Sequence, residues 1–156
     1  MVEPLPSDLG SIDQVVAALY RAISGPAGQA RDWDRLRSLF YPGARLLRTV
    51  VSPAGKVEMA AMDLEGFIAE ASPYFEAKGF FEHEVARRTD QFGHIAQVFS
   101  TYEATADPVG REPLGRGINS IQLWFDDRRW WVMSLLWDDE RPGKPIPPHL
   151  LPMAPP

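Results

Sequence analysis

The chain contains no cysteine, which excludes disulfide staples, thiolate nucleophiles and thiolate-bound metal. Histidine is nearly as scarce. The three present, His83, His94 and His149, are too widely spaced to give a compact zinc-ligand pattern. Nor is there an excess of positive charge: 16 Lys and Arg stand against 21 Asp and Glu, for a net charge of −5. The basic residues are scattered, which argues against a nucleic-acid surface. No apolar run approaches the ~18 residues needed to span a bilayer. The opening MVEPLPSDLG carries neither the basic nor the apolar region of a leader peptide. These absences together predict a cytoplasmic chain with no metal, no cofactor, no nucleic-acid partner and no membrane partner.

What is present suits one domain. Of 156 residues, 45% are hydrophobic and 17 are aromatic, enough to bury a core without covalent help. Proline is unevenly placed. Two of the 15 fall in the first six residues and seven in the last fifteen; both ends should be extended, because proline lacks a donor and restricts the residue before it. The expected organisation is an extended N-terminus over 1–9, a domain over 10–141 and a proline-rich tail over 142–156. Ile146, Leu150 and Leu151 give that tail apolar side chains to dock on its own domain or on a partner.

Within the domain, Ile12, Val15, Val16, Leu19 and Ile23 show the i, i+3, i+4, i+7 spacing of an amphipathic helix, capped by Ser11 or Asp8 and stopped by Gly25-Pro26. Asp32 caps a second short helix with Trp33, Leu36, Leu39 and Phe40 on one face. Ala44 to Ser52 and Lys56 to Met62 read as strands around Pro53-Ala54-Gly55. Asp63 then caps a third helix with a stripe of Leu64, Phe67, Ile68, Ala71 and Phe75. Four long strands follow, Phe80 to Thr89, His94 to Ala106, Gly115 to Phe125 and Trp130 to Trp137, separated by turn residues. The class is α+β, with helices on one face of a curved sheet.

This order, with Asp32-Trp33-Asp34-Arg35-Leu36 running into Phe40-Tyr41-Pro42-Gly43-Ala44, resembles the NTF2-like superfamily, the cone fold shared with SnoaL-like proteins and ketosteroid isomerase. Phe92-Gly93-His94-Ile95-Ala96, Ser100-Thr101-Tyr102-Glu103, Arg116 to Leu123 and Arg129-Trp130-Trp131-Val132 extend the likeness over about Gly10 to Leu151. The resemblance implies three N-terminal helices on a strongly curved, mainly antiparallel sheet. It also implies a pocket between them and a homodimer formed through the sheet. Such cones host unrelated functions, so the site must be argued from residues.

Strand alternation assigns Asn119, Ile121, Leu123, Trp131, Met133, Leu135 and Trp137 to the concave face, and Gln122, Trp124, Trp130 and Ser134 to the outer one. The isomerase branch uses a carboxylate base and acidic donors. Matching its helix end puts Arg48 where the base should stand, and matching its penultimate strand puts Ile121 where the buried acid should stand. Tyr20 matches its tyrosine only approximately, because Gly25 to Ala30 lengthens the loop. His83, alternating with Phe81 and Val85, is the candidate catalytic base; Glu82 and Glu84 then fall on the opposite face, solvated or paired with Arg87 and Arg88. Tyr20, Trp33, Arg48, Tyr102, Asn119, Ile121, Met133 and Trp137 are the candidate ligand contacts. Arg48, flanked by Leu46, Leu47 and Val50, serves as a carboxylate anchor, an internal ion pair or a solvated cation. Asp138-Asp139-Glu140-Arg141 reads as a solvated strand end rather than a metal site. The glycine-rich Gly110 to Gly117 lacks the lysine and helix of a phosphate loop and reads as a hairpin connection. The leading expectation is a cone that binds a small, largely apolar or weakly acidic organic molecule, with or without catalysis. The alternatives are a cofactor-independent lyase or isomerase using His83, and a protein-interaction module presenting Trp124 and Trp130 on the outer sheet face.

Overall fold

The structure is a computed structural model that describes residues 9–156. Of the expected extended N-terminus only Leu9 falls among them, and it is buried; Asp8, the alternative cap, lies outside the described residues. Ser11 caps α1 (Ile12–Ile23), its hydroxyl accepting from the Gln14 amide at 3.2 Å. The helix buries Val15, Val16, Leu19 and Tyr20 and closes where the Ser24 hydroxyl donates to the Tyr20 carbonyl at 2.7 Å. Asp32 caps α2 (Trp33–Leu39), accepting from the Arg35 amide at 3.0 Å.

Strand β1 (Phe40–Val51) begins directly at the end of α2, four residues before the position that the turn-like Tyr41-Pro42-Gly43 suggests. It returns as β2 (Val57–Asp63). Asp63 then accepts from the Gly66 amide at 2.7 Å and opens α3 (Leu64–Ala77), which buries Ile68 and Phe75. The remaining strands are β3 (Phe81–Phe92), β4 (Ile95–Thr105), β5 (Pro113–Phe125) and β6 (Trp130–Asp139). They form one six-stranded sheet in the order β2-β1-β6-β5-β4-β3. Every pairing is antiparallel except β1 with β6, so the sheet is mixed. Only two helices precede the first strand. The third follows β2, which corrects the expectation of three N-terminal helices.

The core lies between the helices and the concave face. Val98, Ile121 and Val132 come from central strands and meet Val15, Val16 and Leu39 from the helices, all almost completely buried. Each such side chain contributes about 1.5–3 kcal/mol of burial.

Two bulges decide which residues reach that face. In β6, Gln122 pairs with Ser134 while Leu123 pairs with Val132, so Met133 is the extra residue and the alternation reverses around it. Val132 and Trp130 are buried as a result, whereas Trp131 turns outward with its pairing partner Trp124. The expected faces of Trp130 and Trp131 are therefore exchanged, while Leu135 and Trp137 keep theirs. In β3 the register shifts between Glu84 and Ala86.

The tail runs back onto the sheet. Thr101 donates to the Leu150 carbonyl at 2.5 Å, Glu140 accepts from the Ile146 amide at 2.7 Å, and Ile146 is buried. Among the described residues no helix is long and apolar enough to cross a membrane.

Candidate functional site

A cavity of about 540 Å³ occupies the cone between α1, α3 and the concave face. Leu19, Phe40, Leu46, Phe67, Ile121 and Leu135 supply most of its wall, and Phe67 meets Trp137 edge-on at 6.1 Å. Of the side chains the sequence nominated, Tyr20, Arg48, Tyr102, Asn119, Ile121 and Trp137 line it. Trp33 does not: it stacks on Phe75 at 6.2 Å from outside the cavity. Met133 does not either, because it is the bulged residue of β6.

His83 is not in the cavity. Its side chain is 55% exposed, with Nε2 3.8 Å from the Glu103 carboxylate beside it on β4. It faces a larger open groove of about 1060 Å³ between α1, β3 and the β4–β5 connection. The phase of β3 is opposite to the one its apolar residues suggest. Glu82 pairs with Ala104 and Glu84 with Tyr102, so both carboxylates share the face of the inward-pointing Ser100 and Tyr102. Glu82, expected from sequence to be solvated or paired with Arg87 or Arg88, is instead half-buried in the cavity wall.

A chain of hydrogen bonds holds it there. Arg87 Nε donates to both oxygens of Glu84 at 3.0 Å, and the Ser100 hydroxyl donates to that carboxylate. With the single hydrogen of Ser100 used, the Tyr20 hydroxyl must be the donor in its 2.6 Å bond to Ser100. Asn119 Nδ2 then donates to Tyr20 Oη at 3.1 Å and to Glu82 Oε1 at 3.3 Å. This polarity fixes the orientation of the Asn119 amide. It also removes Tyr20 as a donor to any ligand. Burial pushes the Tyr20 phenol well above its usual range.

Burial also raises the Glu82 carboxyl to about 8, reinforced by the negative charge of Asp139 and opposed by the Asn119 hydrogen bond. At neutral pH Glu82 is thus mostly a neutral acid, with Oε1 accepting from Asn119 and Oε2 left for its proton. Tyr102, whose phenol burial likewise raises, donates to the Asp139 carboxylate.

Tyr102 can lie over β5 only because residue 117 is glycine. A Cβ there would stand 2.4 Å from the Tyr102 hydroxyl and 2.4 Å from the backbone carbonyl of Asp138. We expect Gly117→Ala to separate the ends of β5 and β6 and to lower the unfolding free energy by about 1–3 kcal/mol. A urea midpoint unchanged from wild type would contradict this.

Arg48 pairs with Trp137 across β1 and β6, and its Nη2 donates to Glu70 Oε1 at 3.1 Å. The ion pair is half-exposed, at 40% and 55%. Arg48 Nε, however, is buried without a partner. At the rim Arg116 Nε donates to Glu140 at 2.6 Å. Among the described residues no three His, Asp or Glu side chains converge to hold a metal ion.

The architecture is shared with solved proteins. The chain is similar to a crystal structure of a protein of unknown function with a cystatin-like fold from Nostoc punctiforme, at 12% identity and a TM-score of 0.62, over 83% of this chain and 88% of that one. It is similar to an NTF2-like protein of unknown function from Silicibacter pomeroyi, at 17% identity and a TM-score of 0.54, over 83% and 92%. It is also similar to a proposed ketosteroid isomerase from Shewanella frigidimarina, at 17% identity and a TM-score of 0.53, over 80% and 91%. No family model and no curated protein matches the sequence. The chain therefore has the cone-shaped α+β fold of NTF2-like and cystatin-like proteins. At these identities the likeness establishes the fold, and any activity has to come from the cavity.

Proposed function

We propose that the cone binds a small, largely apolar organic molecule. The observation that carries this reading is the cavity itself: about 540 Å³ with a mainly apolar wall and a few oriented polar groups, the pattern of a small-molecule site. Hexylbenzene, which has no polar group, tests it. The expected result is saturable binding of one molecule per chain with a rise in Tm, lost in Leu135→Trp, which fills the cavity. No binding of hexylbenzene to the wild-type chain would overturn the reading.

A second reading, a cofactor-independent lyase or isomerase, is favoured by Glu82 rather than His83. A carboxyl near 8 inside the cone is poised to give or take a proton close to neutral pH. In that case Glu82→Gln abolishes turnover while His83→Ala leaves it intact; the reverse pattern would return the role to the histidine.

The outer face supports a homodimer through the sheet. Tyr41 meets Trp124 at 5.7 Å and Trp131 at 5.6 Å, both edge-on, and the Arg129 guanidinium lies 3.6 Å over Trp131. Tyr41 and Trp124 remain exposed. Sedimentation should show a dimer that Trp124→Glu converts to a monomer. A monomeric wild type, or a dimeric variant, would count against it.

A further inference from the structure

Two side chains that line the cavity, from different elements, each carry a donor with no acceptor among the described residues. The first is Arg48 Nε on β1, the one buried side-chain nitrogen or oxygen among the described residues that lacks a partner. A buried donor left unmatched is destabilising, and an acceptor on a bound molecule would relieve that. Glu70 engages only Nη2, from the exposed side of the guanidinium. Nε has no accessible surface, so a planar oxygen acceptor reaches that edge of the guanidinium once the half-exposed side chain turns it toward the cavity.

The second is Glu82 on β3. Its Oε1 is held by Asn119, whose two amide hydrogens are committed to Tyr20 and Glu82, so Asn119 does not compete for a ligand oxygen. Oε2 has no partner among the described residues.

The surroundings distinguish the two positions. Asp139, bonded to Tyr102, adds negative potential at Glu82, and Glu140, the residue after it, also lines the cavity. A second carboxylate placed there meets repulsion, whereas a neutral carbonyl meets a donor. Arg116 on β5 is occupied by Glu140, and Tyr20 and Tyr102 stay neutral. At the other position the cation of Arg48 suits an anion.

We propose that the cavity selects an apolar keto acid, receiving its carboxylate at Arg48 Nε and its carbonyl oxygen at the carboxyl of Glu82. This rests on the reading of the cone as a small-molecule site and names the chemical class that site accepts. Glu82 acts here as a donor and Asn119 as the residue that positions it.

Four matched probes test it by calorimetry at pH 6: hexylbenzene with no acceptor, 6-phenylhexanoate with the acid, 1-phenyl-1-hexanone with the ketone, and 6-oxo-6-phenylhexanoate with both. Each oxygen function should tighten binding on the order of tenfold. Arg48→Met should erase the advantage of the acid and leave that of the ketone; Glu82→Leu should do the reverse. On the wild-type chain alone, raising the pH through about 8 should ionise Glu82 and erase the ketone's advantage while hexylbenzene binds unchanged. Glu82→Gln, which keeps a neutral donor, should bind the ketone without that pH dependence. This wild-type series stands even where a variant fails to fold. Four probes binding alike would overturn the keto-acid assignment and leave the cavity reading intact. An acid or ketone preference that survives its own substitution would also overturn it. No binding by any of the four would overturn the cavity reading and this assignment together.

Discussion

Arg31→Met is expected to lower the unfolding free energy by about 3–5 kcal/mol, although among the described residues no carboxylate lies in hydrogen-bond reach of it. Arg31 is almost fully buried, and burial lowers its affinity for the proton. Its guanidinium is satisfied by five backbone carbonyls: Ile23 at 2.9 Å, Pro26 at 3.1 Å, Gln29 at 2.6 Å, Gly25 at 2.8 Å and Phe75 at 3.1 Å. It also lies 5.6 Å over the Phe75 ring. Those carbonyls come from the end of α1, the loop after it and α3, so one side chain ties three segments, adding to the Gly28 amide that donates to the Glu76 carbonyl at 2.8 Å. Methionine keeps the apolar stem and leaves the carbonyls unmatched in the interior. Lysine keeps the charge but has a point cation with three donors where the site has a planar fork with five; Arg31→Lys should recover only part of the loss. Gly25 belongs to the same construction, because a Cβ there would stand 2.8 Å from Arg31 Nη1. Urea unfolding against the exposed control Lys56→Met measures the effect. A loss below about 1 kcal/mol, the size of a surface change, would show that the loop does not depend on the arginine. Ile23 and Phe75 also line the cavity, so the variant should weaken binding of hexylbenzene as the wall loosens.

Nothing in the sequence announced Arg31, and the reason is general. Its partners are backbone carbonyls, which carry no residue code, so a buried arginine in a glycine- and alanine-rich loop looks the same as a solvated one. The helices were legible because apolar spacing and caps are local: Ser11, Asp32 and Asp63 each accept from an amide three residues on. Strand identity was legible for the same reason. Strand phase was legible only where no bulge intervened. Asn119 and Ile121 face the cavity with Trp137, as strict alternation requires, but one extra residue at Met133 carries Trp130 inward and Trp131 outward. On β3 the apolar Phe81 and Val85 suggested the wrong face. The pairing of Glu84 with Tyr102 decides it, and that contact cannot be read from β3 by itself. Tyr102 was already expected inside. Extending that expectation across the hairpin would have placed Glu82 and Glu84 inside with it, and His83 out.

The inward phase of β3 should be visible in the pH dependence of stability. Glu82 binds its proton more tightly in the folded chain, at about 8, than at the ordinary 4.5 of the unfolded one. Below the unfolded value both states hold the proton and the folded chain carries no penalty. As pH rises from about 4.5 toward 8 the unfolded state releases the proton first, and stability falls throughout that window. Each unit of difference corresponds to about 1.4 kcal/mol, which sets a ceiling of about 5 kcal/mol for the whole shift; water in the half-open cavity reduces it. Other carboxylates push the opposite way. Glu140, held below the usual range chiefly by Arg116, and Asp126, held down by Trp131 and neighbouring backbone amides, lose stabilisation as the solution is acidified. The total profile therefore mixes signs, and the difference between two chains isolates one group. Glu82→Gln fixes the neutral form and keeps an oxygen for Asn119. It should match the wild-type chain near pH 4.5, become progressively more stable than it as pH rises, and lead by a few kcal/mol at pH 8, in urea titrations repeated at each pH. A constant difference between the two chains across that range would mean that Glu82 titrates as an ordinary exposed carboxylate. That result would remove both the neutral donor in the cavity and the acid–base role built on it.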